Sequence, residues 1–401
     1  MLYLYDRKPA ESIVRQRYEI KNAVKFFKSK GIQTKIISGL QELYQKTSDD
    51  IESIFIPYAL FRDDLISLVS YCNSAHIPVI TMRIYPNQLP NSTYSTITRD
   101  LNACMQKILS YFIYNTSKTP KVAYFGVTPN TLVDIDKINA FYSLYSEMKP
   151  DDVYFNESSF IDCFNAFYDR RNEYDAIIFA NSYIAIAFNE IMMKRDKACL
   201  DKLLTVSFLD STLSHLCYTD LTLMLYSDNS LLEAAAEIFK IIHKRKNITA
   251  MNVFLENHLM IGDSTHRLPA PDDKTAFDLV HQYYMSSRKA YFSSYKTNTI
   301  SYDEDEYLRH ICNIENLFNS CDNIDLIIIL MLLKKSKNID ISKTLFLSPQ
   351  TIKYRTKSMF NLLKTKNKVE FIEIMHRYID LEKLEKYIKD KGYEKNILCF
   401  S

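Results

Sequence analysis

Apolar positions in the first 265 residues follow two alternating patterns. Short runs rich in β-branched and aromatic residues alternate with longer stretches whose apolar residues recur every three or four positions. The runs predict strands at Leu2 to Tyr5, Thr34 to Ser38, Ser53 to Pro57, Pro78 to Met82, Val122 to Val127, Asp175 to Ala180 and Leu204 to Leu209. The longer stretches predict helices at residues 12–30, 63–75, 101–115, 131–147, 157–172, 183–195 and 228–244. Such alternation is typical of parallel sheets, and two consecutive sets predict an α/β fold with two lobes.

The pattern changes after Pro269 and Pro271, which interrupt any regular element. Two amphipathic segments near residues 274–292 and 303–320 then predict a helical connector. Their apolar positions recur at i, i+3, i+4 and i+7 and include Phe277, Val280, Tyr284, Tyr307, Ile311, Ile314 and Leu317. We expect this face to pack on the lobes or on a second subunit, so that the connector is a possible dimerisation element and a homodimer is the expected assembly.

The segment from Ile324 onward has the pattern of a compact four-helix unit. An apolar helix ends near Lys334, and a short helix follows around residues 340–344. Ser348 and Pro349 then predict the start of a third helix, because serine is a favoured N-cap and proline fits the first helical position. Within this third helix, one stripe is expected to be buried: Ile352, Met359 and Leu363.

The opposite face of the third helix is polar, with Gln350, Lys353, Tyr354 and Lys357 at i, i+3, i+4 and i+7. An amide can pair with adenine, and lysine can bind phosphate or guanine, so these are the groups that reading a DNA groove requires. Ser348 and the first amides of the helix can also receive a phosphate at the positive end of the helix dipole.

Charge is concentrated in the same unit. Residues 334–368 contain ten basic residues and one acid, a net charge of +9, whereas the total of +2 leaves −7 for the rest of the chain. A cluster of this kind predicts double-stranded DNA as a partner. We therefore divide the chain into a two-lobed ligand-sensing domain (1–267), a helical connector (268–323) and an all-α DNA-binding domain (324–401).

Several function classes lack their motifs. The five glycines are at least eight positions apart, which excludes a GxGxxG loop, a P-loop and a GxSxG elbow. Eight cysteines and eight histidines form no CxxC and no local metal pair, so we expect no metal, no cofactor and no enzyme activity. The N-terminus lacks a signal-like leader, and the longest apolar stretches, such as Leu326 to Leu333, are too short to cross a bilayer. A cytoplasmic protein without a membrane partner is expected.

The C-terminal stretch closely resembles the LuxR/GerE-type helix-turn-helix, whose pattern is IA..L.iS..TVk.h...i..KL....R.e. Arg355 stands where that family usually has histidine, and Lys368 and Glu370 replace the residues that begin its fourth helix. The matching residues are Ile341, Leu345, Leu347, Ser348, Thr351, Ile352, Lys353, Met359 and Leu363. The resemblance implies sequence-specific DNA binding. The candidate DNA contacts are Ser348, Gln350, Thr351, Lys353, Tyr354, Arg355 and Lys357.

The first 265 residues resemble the sensor of the LacI/GalR regulators, a two-lobed fold like that of periplasmic sugar-binding proteins. Four segments carry the likeness in the family's order: Ile51 to Met82, residues 175–192, Leu203 to Leu216 and Leu255 to Pro269. The resemblance implies a small-molecule effector, such as a carbohydrate, bound between the lobes. Two positions depart from the family: Leu209 replaces the first Asp of GfDD, and Gly262 replaces the Arg of LivR.S.

The resemblance also gives candidate ligand contacts. Lys137, in KINAF, replaces the Arg of the family's R..GF stretch and is either a donor to ligand hydroxyls or an exposed helix lysine. Asn181 and Asp210 correspond to or adjoin ligand-contacting positions, and each has the alternative of a helix N-cap, which is favoured for Asp210. Tyr58 and Phe61 follow the third strand and are candidates for stacking on a ligand.

Together these features predict a ligand-responsive transcriptional regulator of one chain. The alternative is a ligand-binding or scaffold protein with a degenerate cleft, whose basic C-terminal domain binds a protein. A phosphorylated receiver is less favoured, because receivers are about half as long as this sensor and need an acidic pair after the first strand, where only Asp6 occurs.

Overall fold

The structure of the chain is a computed structural model. It describes residues 1–6, 14–45, 51–57, 62–82, 84, 89, 92–116, 119–128, 132–144, 150–208, 211–225, 228–245, 248–272, 274–276, 279, 302 and 305–390. It describes the backbone alone at residues 14–19, 62, 63, 132, 150, 228, 229 and 306.

Twelve strands occur within these ranges. They are β1 (Leu2–Asp6), β2 (Thr34–Ser38), β3 (Ser53–Ile56), β4 (Val79–Met82), β5 (Ser95–Arg99), β6 (Val122–Val127), β7 (Val153–Phe155), β8 (Ala176–Phe179), β9 (Leu204–Phe208), β10 (Thr222–Leu225), β11 (Asn252–Leu255) and β12 (His258–Met260).

The helices of the two lobes are α1 (Val14–Ser29), α2 (Leu40–Tyr44), α3 (Arg62–Ser74), α4 (Leu101–Asn115), α5 (Leu132–Leu144), α6 (Phe160–Arg170), α7 (Ser182–Arg195), α8 (Lys197–Leu200), α9 (Thr212–Leu216) and α10 (Asp228–Lys244). Those that follow are α11 (Glu306–Ser320), α12 (Asn323–Leu333), α13 (Asn338–Leu345), α14 (Pro349–Leu363), α15 (Lys368–Tyr378) and α16 (Leu381–Asp390). Within the described ranges, every helix is too short or too polar to span a bilayer.

Each lobe is built on one six-stranded sheet. The first has the order β11-β5-β4-β3-β1-β2 with parallel pairs, and the second has the order β12-β10-β9-β8-β6-β7, in which β12 alone pairs antiparallel. Helices α2 and α3 cover one face of the first sheet, and α1 and α10 cover the other. Helices α4 and α5 cover one face of the second sheet, opposite α6 and α7. The chain passes between lobes after β5, β10 and β11.

The predicted α/β fold with two lobes is confirmed. Each strand and helix predicted in the first 265 residues is present, with described ends that shift by at most three residues. The prediction was incomplete, because it lacks β5, β7, β10, β11 and β12 among the strands and α2, α8 and α9 among the helices. The connector helix predicted at 303–320 is α11, whereas most of the segment 274–292, with Phe277, Val280 and Tyr284, lies outside the described residues.

Helix α11 lies between the second lobe and the C-terminal helices. Its residues Leu308, Ile311, Ile314 and Leu317 are fully buried in one hydrophobic core that continues from α6 and α7 into α12, α14, α15 and α16. The connector is therefore an internal part of the structure, and it joins the second lobe to the C-terminal unit through a shared core.

Candidate functional site

Helix α14 begins as its sequence predicts. The Ser348 side chain accepts a hydrogen bond from the Thr351 amide at 3.0 Å, and Pro349 occupies the first helical position. Thr351 is half-buried, and its hydroxyl lies 2.8 Å from the Ser348 hydroxyl. The predicted stripe of Ile352, Met359 and Leu363 is buried, and Thr356 extends it. One face of α14 is thus fixed in the core.

The opposite face of α14 is exposed to solvent. Gln350, Lys353, Tyr354 and Lys357 all lie on it, and Tyr354 is 76% exposed. In the part of the chain that the structure describes, none of these four side chains makes a hydrogen bond or an ion pair. The face therefore presents an amide, a phenol and two ammonium groups that a partner can bind without first breaking contacts within the chain.

The basic segment is mostly free as well. Lys334 pairs with Glu385 at 2.6 Å, Lys368 donates to the Ser336 carbonyl at 2.7 Å, and Arg355 is also paired. The other seven basic side chains are exposed, and the described residues offer them no hydrogen-bonding or ionic partner: Lys335, Lys337, Lys343, Lys353, Lys357, Lys364 and Lys366. Most of the positive charge of the segment is available to an external anion.

Arg355 differs from the other candidate DNA contacts. Its guanidinium donates to Asp325 at 2.7 Å and to Asp322 at 2.9 Å, which ties α14 to the start of α12. The two aspartates also form a capping box, in which each side chain accepts from the backbone amide of the other. The structure therefore gives Arg355 a role in positioning α14, since one guanidinium nitrogen binds both carboxylates.

The turn between α13 and α14 contains a strained residue. Phe346 ends α13 in the left-handed region, at φ 53°, where a side chain is unfavourable, and its ring is 95% exposed. This turn projects an uncovered aromatic ring next to the exposed face of α14.

The second candidate site lies at the C-terminal ends of β6, β8 and β9, which are neighbours in the second sheet. Thr128, Asn181 and Phe208 come from these strand ends. Gly126 shapes the end of β6: its φ is +78°, the register with β7 shifts there, and a Cβ atom would overlap the Ile184 side chain. Strand ends that meet in this way are the usual location of ligand sites in parallel sheets.

Lys137 is buried in this site, which excludes the alternative of an exposed helix lysine. Its ammonium donates to Asp134 and to the Ala180 carbonyl, each at 2.8 Å, and Asp134 accepts from the Thr128 amide at 3.2 Å. Burial lowers the pKa of Lys137, with Arg99 adding to that effect and Asp134 opposing it. The ammonium also lies 5.3 Å from the centre of the Phe208 ring.

Asn181 is a helix N-cap, one of its two proposed roles. Its side-chain oxygen accepts from the Ile184 amide at 3.1 Å as the N-cap of α7, and its nitrogen donates to the Tyr302 hydroxyl at 2.6 Å. The Tyr302 hydroxyl also lies 3.4 Å from that of Thr128, and burial raises the pKa of Tyr302. A tyrosine from the connector thus binds the side-chain amide of the Asn181 N-cap at the strand ends.

The other predicted ligand contacts, Tyr58, Phe61 and Asp210, lie outside the described residues. The contributions of Tyr302 and Asp134 were not predicted. Asp134 stands three residues before Lys137, a spacing that favours contact on one helix face, so the sequence held a signal for this pair. Tyr302 had no such signal, because 121 positions separate it from Asn181.

Buried acids connect α11 to the second lobe. Glu315 accepts hydrogen bonds from the Thr212 and Leu213 amides at 3.0 and 2.8 Å, at the start of α9. Asp305 caps α11 and also accepts from the Phe160 amide at 2.7 Å. Each acid satisfies helix amides that would otherwise lack partners, so these contacts fix α11 against both α6 and α9.

The C-terminal helices also contact the second lobe directly. Arg377 donates to both oxygens of Glu190 at 2.8 and 3.0 Å, and Tyr218 donates to the His376 carbonyl at 2.8 Å. Lys383 binds Asp220 and the Cys217 carbonyl, both at 2.8 Å. These contacts use α15, α16 and the loop after α9, and they leave the exposed face of α14 uncovered.

Comparison with known families identifies the C-terminal unit. Residues 326–375 match the family model described as bacterial regulatory proteins, luxR family. The match includes most of α12, all of α13 and α14, and most of α15. No curated protein sequence matches the chain.

Solved structures share the fold of the two lobes. The transcriptional regulator CelR in complex with cellobiose aligns with a TM-score of 0.53 and 14% identity over 66% of this chain and 84% of its own. CcpA of Lactococcus lactis aligns with a TM-score of 0.52 and 11% identity, over 66% of this chain and 99% of its own. A dimeric Lac repressor lacking 11 C-terminal residues aligns with a TM-score of 0.51 and 12% identity, over 68% of this chain and 100% of its own. The first two-thirds of the chain therefore has the fold of LacI-type regulators.

Proposed function

We propose that this protein is a sequence-specific DNA-binding transcriptional regulator that responds to a small molecule. The exposed face of α14 is the observation that carries the proposal, because its polar side chains are unpaired within a luxR-type domain. The expected cytoplasmic location and a homodimeric assembly are part of the same proposal.

Different side chains serve different parts of DNA binding. Lys353 and Lys357 supply positive charge for phosphates, while Gln350 offers the donor and acceptor pair that recognises adenine in the major groove. Ser348, Thr351 and Tyr354 lie in the cap and first turns of the helix, where the positive end of the helix dipole favours a phosphate. Arg355 acts indirectly by holding α14 against α12.

The effector is proposed to bind between the lobes, next to Asn181 and Lys137. Cellobiose in the CelR complex suggests a carbohydrate, whose hydroxyl groups match the amide, hydroxyl and ammonium groups at the strand ends. Tyr302 holds one of these positions through its bond to Asn181. An effector hydroxyl that takes the position of the Tyr302 hydroxyl at Asn181 replaces the tyrosine.

Replacement of Tyr302 provides a route from the effector to DNA. Tyr302 lies three residues before Asp305, which caps α11, and α11 packs against α14. Because the same helix is fixed to the second lobe by Glu315, displacement of the segment before α11 shifts the support of the DNA-binding helix. A ligand with different affinities for the two arrangements changes DNA binding.

Selection from a pool of random-sequence duplexes tests specific DNA binding by the full chain. We expect a short sequence to be enriched, and Gln350→Ala to relax the preference at one base position, while Gln41→Ala, at an exposed glutamine on α2 of the first lobe, leaves it unchanged. Binding without any enriched sequence contradicts specific recognition, and failure to bind any duplex favours a protein partner for the basic domain.

A thermal-shift screen with carbohydrates, beginning with cellobiose, tests the effector site. A sugar that binds only the folded chain raises its melting temperature. Asn181→Asp should abolish that rise, because aspartate keeps the N-cap acceptor and removes the donor in the cleft. An equal rise in the variant would place the sugar elsewhere.

A further inference from the structure

A pocket lies between the second lobe and the C-terminal helices, away from both sites described above. Its volume is about 390 Å³, which is within the range of small-molecule sites. Helix α7 supplies Ile186, Asn189 and Met193, and α15 supplies Arg377 and Tyr378. Most of the wall is apolar. Because α7 and α15 both form the wall, an occupant contacts the sensor and the DNA-binding unit together.

Asn189 is an unsatisfied polar residue in this wall. Its side chain is 4% exposed, and neither its amide nitrogen nor its amide oxygen has a hydrogen-bond partner. A buried amide without partners costs on the order of 1–3 kcal/mol. The terminal torsion of asparagine has a broad minimum, so the amide rotates at low cost to meet a partner in the pocket that Asn189 lines. A molecule there that offers one donor and one acceptor satisfies both atoms.

The charges around the pocket are already paired. Glu190 accepts two hydrogen bonds from Arg377 and also pairs with Lys194. A charged ligand would lose its hydration without gaining a free counter-ion, whereas a neutral ligand loses much less. The pocket therefore favours an uncharged molecule.

We propose that this pocket binds a neutral, mainly apolar small molecule that carries an amide-like donor and acceptor pair, such as an aromatic lactam. The lactam edge pairs with the Asn189 amide, and the rings fill the space beside Ile186 and Tyr378. Because binding requires α15 to lie against α7, the ligand strengthens the attachment of the DNA-binding unit to the sensor. Ligand binding at this pocket requires neither an effector in the cleft nor DNA.

The probe for this site is 2-quinolone, with N-methyl-2-quinolone as the matched ligand that lacks the donor. Methionine methyl NMR of the full chain reports binding, with the Met193 signal assigned from Met193→Leu. We expect 2-quinolone to shift the Met193 signal and to leave that of Met82, buried in the first lobe, unchanged. The N-methyl compound should bind about tenfold more weakly, the ratio for one hydrogen bond of about 1.4 kcal/mol.

Asn189→Leu provides the matching change in the protein, and exposed Asn165→Leu on α6 is its control. Asn189→Leu should keep the fold, because it removes an unsatisfied amide and retains the volume. It should weaken 2-quinolone binding by about tenfold and abolish the preference over the N-methyl compound. Equal binding of the two compounds by the natural chain, or no shift of Met193 with either, overturns the proposal even if the variant fails to fold. Unchanged binding by Asn189→Leu overturns it as well.

Discussion

The cleft of the second lobe and the exposed face of α14 use their polar groups in opposite ways. In the cleft, Lys137 is paired with Asp134 and Ala180, and Asn181 is paired with Tyr302. On α14, Gln350, Lys353, Tyr354 and Lys357 have no such partners among the described residues. A ligand that takes the position of Tyr302 in the cleft replaces an internal bond, whereas the exposed face of α14 has no internal bonds to break. Such an effector competes with the chain itself, and DNA does not.

The largest expected contrast comes from one substitution made at both sites. Lys137→Met leaves Asp134 buried without its cation and should lower the free energy of unfolding by about 3 kcal/mol. Lys353→Met, at an exposed and unpaired lysine, should change it by less than about 0.5 kcal/mol. Urea unfolding followed by circular dichroism measures both. Equal effects would contradict the distinction between a satisfied cleft and a free face.

A smaller contrast compares two tyrosines. Tyr302→Phe removes the acceptor for the Asn181 amide and should cost about 1–1.5 kcal/mol in unfolding free energy. Tyr354→Phe should leave stability unchanged, because that hydroxyl is exposed and has no partner in the described chain. The same unfolding experiment checks the pair. A stable Tyr302→Phe protein would show that the hydroxyl contributes nothing to the cleft.

Substitution of Phe346 should raise the free energy of unfolding, whereas Lys137→Met and Tyr302→Phe should lower it. Phe346→Gly should raise the stability of the DNA-binding unit by about 1 kcal/mol, because glycine adopts the left-handed conformation without strain. Little packing is lost, since the ring is 95% exposed. Lys364→Gly, at φ 58° after α14, serves as a second case with the same expected gain. A loss of stability at Phe346 would mean that its ring makes contacts that matter.

The smallest expected effect is the dependence of stability on pH. Burial acts to raise the pKa of Glu190, but the bonds from Arg377 and Lys194 lower it overall. Hydrogen bonds from Lys383 lower the pKa of Asp220. Carboxylates with lowered pKa stabilise the folded state above their ordinary range and lose that contribution as pH falls. The protection of α15 amides against hydrogen exchange, expressed relative to their intrinsic exchange rates at each pH, should therefore fall as the solution is acidified below the usual pKa of a glutamate, and Glu190→Gln should reduce that dependence.

Strands in which every position of a run is apolar could be predicted from the sequence. Val122–Val127 agrees with prediction to the residue, because a parallel strand covered on both faces is apolar at every position. β5 was missed because its serine and threonines suggest a loop. Its polar groups are satisfied within the fold: Thr96 donates to the Ile84 carbonyl, and Ser95 accepts from the Met251 amide.

Long-range polar contacts could not be predicted from sequence patterns. The pairing of Lys137 with the Ala180 carbonyl and of Asn181 with Tyr302 depends on how distant segments meet. The exposed face of α14 was predictable because the period of one helix fixes it. Arg355 was the exception on that helix, since its carboxylate partners lie 30 and 33 positions earlier.

The central claim, that α14 binds DNA through its free cations, is tested most directly by the salt dependence of DNA affinity. Full chains carrying Lys353→Ala and Lys357→Ala together are compared with chains carrying Lys240→Ala and Lys244→Ala, which remove the same charge from the first lobe. Each lost phosphate contact should reduce the slope of log affinity against log salt by about 0.9, so the α14 variant should lose about 1.8. We expect the slope to fall by that amount for the α14 variant and to stay unchanged for the control. Equal slopes in the two variants would contradict it.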